Sequence, residues 1–349
     1  MQIKSAFLST FLFLILSLLV SCGEDDPEPV AGDIIIVNEG NFGQGNGSIS
    51  LYNRDNDVVE NNVFTEANNG RSLEASVQSV TIHEETAFII CNAADKIEIT
   101  NAITLEALQA PLEDEDLISP RYLTVSGDKA YVSVWGEFDD NFALTESKVA
   151  VIDLSDYSIS KYISVAAGPE GIVAIDDKVF VANSFTSIIT VIDTNTDEVD
   201  EEIMLEGSPQ LLATYGGNLW ASVSGAASQY VQINPADNSI GQTISVAGSN
   251  SNGKFAINGS LNTLYFIGAT FSSSASDIHA IDLNDASPSY ETVISGDNFY
   301  GVASDPLSNE ILVGNSNAFQ GEGTILRYDA NGQLLDTYAS GVGPNDFVF

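Results

Sequence analysis

Apolar residues in this chain come in bursts of four or five, each bounded by Gly, Asn, Asp or Ser. The stretch Asp177-Lys-Val-Phe-Val-Ala-Asn-Ser-Phe-Thr-Ser-Ile-Ile-Thr-Val-Ile-Asp193 shows the pattern in full. It predicts two short strands, Val179 to Ala182 and Ile188 to Ile192, joined by a small polar loop and closed by an Asp that starts a turn. The first half recurs as Asp33-Ile-Ile-Ile, Thr86-Ala-Phe-Ile, Lys129-Ala-Tyr-Val, Asn218-Leu-Trp-Ala, Thr263-Leu-Tyr-Phe and Glu310-Ile-Leu-Val. The second half recurs as apolar strands ending before Asn53, Asn101, Asp153, Asn234, Asp282 and Asp329. Seven copies of each half, spaced by about 46 residues, mark a repeat architecture of the propeller kind.

The turns divide the chain into seven units. The first holds Ile34 to Val37, Ser48 to Tyr52 and Val58 to Phe64, and a longer connection from Thr65 to Ser76 follows it. Four-strand units then run from about Val77 to Leu112, Pro120 to Val165, Pro169 to Leu205, Pro209 to Val246, Gly253 to Ile294 and Phe299 to Tyr338. The first unit lacks the opening strand of the others. Pro344-Asn-Asp-Phe-Val matches the openings Pro120-Arg-Tyr-Leu, Pro169-Glu-Gly-Ile and Pro209-Gln-Leu-Leu, so Phe347 to Phe349 are expected to supply it. The expectation is an all-β, seven-bladed β-propeller over 33–349, closed by its C-terminal strand, which would leave no open sheet edge. Phe88, Tyr131, Phe180, Trp220 and Tyr265 hold equivalent places on the second strands and are expected to pack between blades.

The N-terminus does not follow the repeat. Lys4, the apolar run Phe7 to Val20 and then Leu19-Val-Ser-Cys22-Gly read as a lipoprotein signal over 1–21, with Cys22 the lipidated residue. The acidic, proline-bearing segment Gly23-Glu-Asp-Asp-Pro-Glu-Pro-Val30 reads as a tether over 22–32. That places the protein at the cell outer membrane, held by lipid. Acidic residues directly after the lipidated Cys resemble the surface-export signal of Bacteroidetes lipoproteins. Cys91 is the one cysteine left in the body, expected to pack as a small apolar residue. Forty-nine acidic against eleven basic residues give a formal charge of −38, a surface that repels phosphate backbones and argues against nucleic acid as a partner.

In a propeller, the links between second and third strands and those between one blade and the next share one face. Here those links are long, uneven and aromatic, whereas the opposite links, such as Tyr215-Gly-Gly-Asn, are short turns. The ligand-binding candidates come from the long set: Asn38, Glu39, Asn41 and Phe42; Trp135 and Phe138; Phe185; Phe271; Asn315, Asn317 and Phe319; and Tyr300 at the opening of the last unit. Aromatic rings beside amides offer flat apolar surface with hydrogen-bonding handles. Arg71 and Arg121 suit a phosphate or carboxylate, or else pair with Glu74 and Glu115. Catalytic, metal-binding and cofactor residues are assigned to none. His83 and His279 fall on different elements, no paired histidines suggest zinc, and the acidic runs Glu113-Asp-Glu-Asp116 and Asp139-Asp140 read as solvated.

Asn38-Glu-Gly-Asn-Phe-Gly43, behind a lipoprotein signal and together with strand ends such as Val-Ile-Asp193 and Ala-Ile-Asp282, resembles the YncE-like, BtuG-like surface propellers of Bacteroidetes. The resemblance implies a non-enzymatic surface lipoprotein that captures a small nutrient and passes it to a TonB-dependent transporter, with cobalamin or another corrinoid as first cargo. The alternatives are a siderophore-binding propeller, a protein- or glycan-binding adhesion propeller, and last a calcium-dependent lactonase-type hydrolase. No ligand contact transfers residue by residue, because the loops carry no motif that matches.

Overall fold

Seven four-stranded antiparallel sheets follow one another along the chain in a computed structural model that describes the backbone of residues 33–246, 250–269 and 274–349. The expected signal segment, Cys22, the tether and Phe271 lie outside the described residues. Blade 2 contains Val77–His83, Thr86–Cys91, Lys96–Asn101 and Leu112–Glu113. Blades 3 to 5 open on Pro120–Ser126, Pro169–Ile175 and Ser208–Tyr215, and blades 6 and 7 on Asn250–Asn258 and Phe299–Ser304. The repeat therefore places the sheets where the alternation of apolar runs and turn residues predicts them.

Blade 1 takes its innermost strand from the far end of the chain. Pro344–Val348 pairs antiparallel with Ile34–Asn38, aligning Ile35 with Val348 and Ile36 with Phe347. The strand begins three residues earlier than expected and ends before Phe349, which is exposed. A second difference lies at Val58 to Phe64: the strand stops at Glu60, and Val63–Ala67 forms a short helix. Asn62 adopts φ 60, a left-handed conformation that asparagine tolerates and that breaks the strand, so Phe64 turns inward and is buried.

The core is a set of seams between blades. Phe88 packs with Leu123 and Val132 across blades 2 and 3, Tyr131 with Ile172 and Val181 across 3 and 4, and Phe180 with Leu219 across 4 and 5. Trp220 meets Leu264 and Phe266 across 5 and 6, and Tyr265 meets Ile311 and Val313 across 6 and 7. The remaining seams join blade 7 to blade 1 through Leu312, Ile34 and Phe347, and blade 1 to blade 2 through Val37, Val77 and Ile89. Each fully buried aliphatic side chain contributes about 1.5–3 kcal/mol, so stability is spread around the ring.

Candidate functional site

Each innermost strand carries an irregularity at the same place, and it governs the chemistry of the channel. The pairing register slips between Val77 and Ser79, Pro120 and Leu123, Pro169 and Ile172, Pro209 and Leu212, Ser251 and Phe255, and Phe299 and Gly301, and opposite Pro344 and Asp346 in blade 1. A bulge leaves a residue out of the ladder and re-aims its side chain. Among the residues left between the paired positions, Gln78, Arg121, Glu170, Gln210, Lys254, Tyr300 and Asn345, one from each blade, line a single cavity of about 180 Å³ with Glu39, Tyr122, Leu211 and Gly253. Backbone groups freed by the bulges find hydroxyl partners: Tyr122 N–H donates to Ser133 Oγ at 3.0 Å, and Leu211 N–H to Ser222 Oγ at 3.1 Å.

Charges in the cavity are interleaved. Arg121 donates from Nε and Nη2 to both carboxylate oxygens of Glu170, at 3.0 and 2.7 Å. Burial opposes its charge, but Glu170 more than offsets this and raises its pKa. Burial likewise works against Lys254, yet Tyr122, Asp346, Glu39 and Glu170 outweigh it and hold the ammonium above its ordinary value. Asp346 is pushed up by burial, with Lys254 pulling the other way. Burial and the neighbouring Glu39 raise the Tyr300 phenol, which stays neutral and donates to Glu39 Oε2. Asn345 Nδ2 reaches Glu39 Oε2 and the Gln78 carbonyl, each at 3.4 Å, and Gln78 Nε2 donates to Tyr122 Oη at 3.1 Å.

Around this mouth stand the aromatic loops. Trp135 receives the Arg121 guanidinium on its face at 4.1 Å and meets the rings of Phe185 at 5.4 Å and Phe138 at 6.1 Å. On the blade 7 side, Phe319 stands edge-on to Tyr300 at 5.0 Å, and Asn41 Nδ2 donates to its carbonyl at 2.9 Å. Phe185 and Phe319 use the same device. Each lies against a left-handed glycine preceding an opening Pro, Gly168 or Gly343, where a Cβ would come within 2.2 and 2.6 Å of the ring. Phe42, Phe138 and Phe185 are exposed, at 94%, 43% and 52%.

The remaining candidates lie elsewhere. Asn38 is wholly buried, with Nδ2 donating to Ser50 Oγ at 2.8 Å, so it braces the blade 1 loop from within. Arg71 sits away from the cavity, bidentate to Glu98 at 2.6 and 3.0 Å and stacked on Phe64. Its partner is thus not Glu74, and that of Arg121 is not Glu115. Asn315 donates to the carbonyl of Asp297 in the link that precedes blade 7, and Asn317 to that of Glu322 in its own loop. His279 is built into packing, against Phe266 and Tyr290 and hydrogen-bonded to Thr292 Oγ1 at 3.0 Å. Among the described residues no cluster of His, Cys, Asp and Glu could hold a metal ion.

Of the residues singled out from the sequence as ligand-binding candidates, Glu39, Arg121 and Tyr300 line this cavity; Gln78, Glu170, Gln210, Lys254 and Asn345 line it too and were not among those candidates. The signal was present: a polar residue directly follows the opening Pro in Pro120-Arg121, Pro169-Glu170, Pro209-Gln210 and Pro344-Asn345.

The seven-bladed fold agrees with comparison to known proteins. A model for the family described as "Domain of unknown function (DUF5074)" matches residues 32–342. The chain belongs to that family. No curated protein matches it by sequence. Among solved structures, a quinonprotein alcohol dehydrogenase-like protein from Bacteroides thetaiotaomicron superposes with TM-score 0.67 at 13% identity, covering 90% of this chain and 77% of its own. The hydrazine synthase of Kuenenia stuttgartiensis gives 0.64 at 16%, covering 77% and 88%, and apo AztD from Citrobacter koseri gives 0.53 at 13%, covering 89% and 82%. At such identities the likeness is one of fold, and the propeller supports many unrelated chemistries.

Proposed function

We propose that this protein is a surface lipoprotein that captures a small nutrient on the loop-bearing end of its ring and passes it to a TonB-dependent outer-membrane transporter. The observation that supports this best is the cluster of Trp135 with the exposed rings of Phe138 and Phe185, set on the cavity residue Arg121, together with the exposed Phe42 in the loop of blade 1 that follows Glu39. Large apolar faces left in water at one end of a rigid frame suit binding, and a rigid frame avoids the ordering cost of a flexible site. A corrinoid is the first cargo to test and a ferric siderophore the second. Either exceeds a cavity of about 180 Å³ and would lie across the rim, with its polar edge toward the mouth.

Calorimetry with cobalamin and with a ferric siderophore tests the cargo. One of them is expected to bind, and Phe42→Ala or Phe138→Ala to weaken it about tenfold, the loss of roughly 1.4 kcal/mol of contact. Silence from both ligands at micromolar concentration removes both cargoes. Affinity capture from outer membranes tests the transporter; recovery of only matrix or host proteins would favour adhesion instead.

A further inference from the structure

The charged groups at the centre of the ring come from four blades. Arg121 and Lys254 stand on blades 3 and 6, while Glu170 stands on blade 4 and Glu39 and Asp346 on blade 1. Each sign therefore sits three blades apart and the two signs alternate. Of these, Arg121, Lys254, Glu170 and Glu39 line the cavity, two of each sign, so the ring has no net pole: an anion meets two carboxylates, a cation meets two basic groups, and each end of a small zwitterion meets a like charge beside the opposite one.

Beside the mouth, sharing Gln210 and Gly253 with it, lies a second chamber of about 100 Å³. Its other polar walls are Ser222, Ser224, Ser228 and Gln229, so none of its lining side chains is charged. Hydroxyl and amide groups present both donors and acceptors at close spacing. One group on the main ring also awaits a partner: the Asn345 side chain is 2% exposed and its buried Oδ1 has no hydrogen bond. A guest hydroxyl would supply the donor that this buried amide oxygen lacks. The Arg121 guanidinium in the same cavity is held to Glu170 through Nε and Nη2.

We propose that the channel mouth holds a neutral, polyhydroxylated guest of monosaccharide size, seated on the ring of one residue per blade and reaching into the chamber beside Gln210. A hydroxyl both donates and accepts, so a polyol satisfies carboxylates, amides and the guanidinium edge alike without placing a like charge against any of them. The cavity is below the ~300 Å³ at which drug-sized sites begin, which limits the guest to one sugar-sized unit. The inference rests on the capture proposal only for the use of this end of the ring.

Calorimetry of the purified protein with glucose, N-acetylglucosamine and myo-inositol, each to about 10 mM, tests it against sodium lactate and glycine as charged controls. At least one neutral compound is expected to bind, at least tenfold more tightly than either control. Gln210→Ala should weaken it tenfold or more with an unchanged melting curve; Ser224→Ala serves the same purpose if that variant does not fold. The idea is overturned if all three neutral compounds are silent, if lactate or glycine binds as well, or if both variants keep wild-type affinity. Cobalamin titrated into Gln210→Ala separates the two proposals, because rim capture through Phe42 and Phe138 does not depend on that side chain.

Discussion

Arg54 and Asp305 meet across the seam between the first and last blades, with the Asp305 side chain 1% exposed. Burial alone would raise Asp305, but donors from Arg54, Ser308 Oγ and the Leu307 N–H hold its pKa below the ordinary 3.8. With the folded value below the unfolded one, the ionised carboxylate contributes stability at every pH above 3.8, and that contribution is lost as pH falls through the lower folded value. Asp305→Asn leaves Arg54 without its counter-charge and is expected to cost about 3 kcal/mol in urea melts at pH 7. The gap to wild type should close in acid; a gap that persists at pH 2 would show that the loss is not electrostatic. Cys91 offers a separate test. It is fully buried and its thiol is pushed up to about 12 by burial, so it should resist a thiol reagent at pH 8 in the folded protein and react once urea unfolds it. Rapid reaction of the native protein would contradict this.

At the level of elements, the closing strand depends on close backbone approach. A Cβ on Gly314 would fall 2.1 Å from the Pro344 carbonyl oxygen, and one on Gly323 2.5 Å from Pro344 Cδ. Gly314→Ala is expected to push Pro344–Val348 away from blade 7 and destabilise the protein by about 1–3 kcal/mol, the usual cost of overpacking. Gly259→Ala, whose Cβ would meet only a tyrosine carbon at 3.8 Å, should change stability by less than about 0.5 kcal/mol. Equal melting temperatures for the two variants would show that the glycine contacts do not hold the seam. The strand itself was legible because Pro344-Asn-Asp-Phe-Val repeats the openings of other units. The helix at Val63–Ala67 was not, since Asn62 breaks the strand by a backbone conformation that leaves no mark in hydrophobic alternation.

For the molecule as a whole, the charge of −38 sets a large self-repulsion against a few ion pairs such as Arg327 with Asp57 and Glu310. Acidic residues outnumber basic ones by more than four to one, so screening relieves more repulsion than it removes attraction. The melting temperature is expected to rise as sodium chloride goes from about 0.01 M to 1 M, where the screening length falls from about 30 to 3 Å. A fall over that range would mean that ion pairs, not repulsion, dominate the surface.

Strand positions, the number of blades and the aromatic residues between them were set by the sequence alone, because apolar runs and turn residues act within a few positions of themselves. Which polar residues face the channel was decided only in three dimensions. Asn345 meets Gln78 across 267 residues and Tyr300 meets Glu39 across 261, contacts that exist because seven bulges turn seven side chains inward and the ring brings them together. Hydrophobic period carries no record of a bulge, so the residues at the centre of the ring read in the sequence as ordinary polar positions beside a proline.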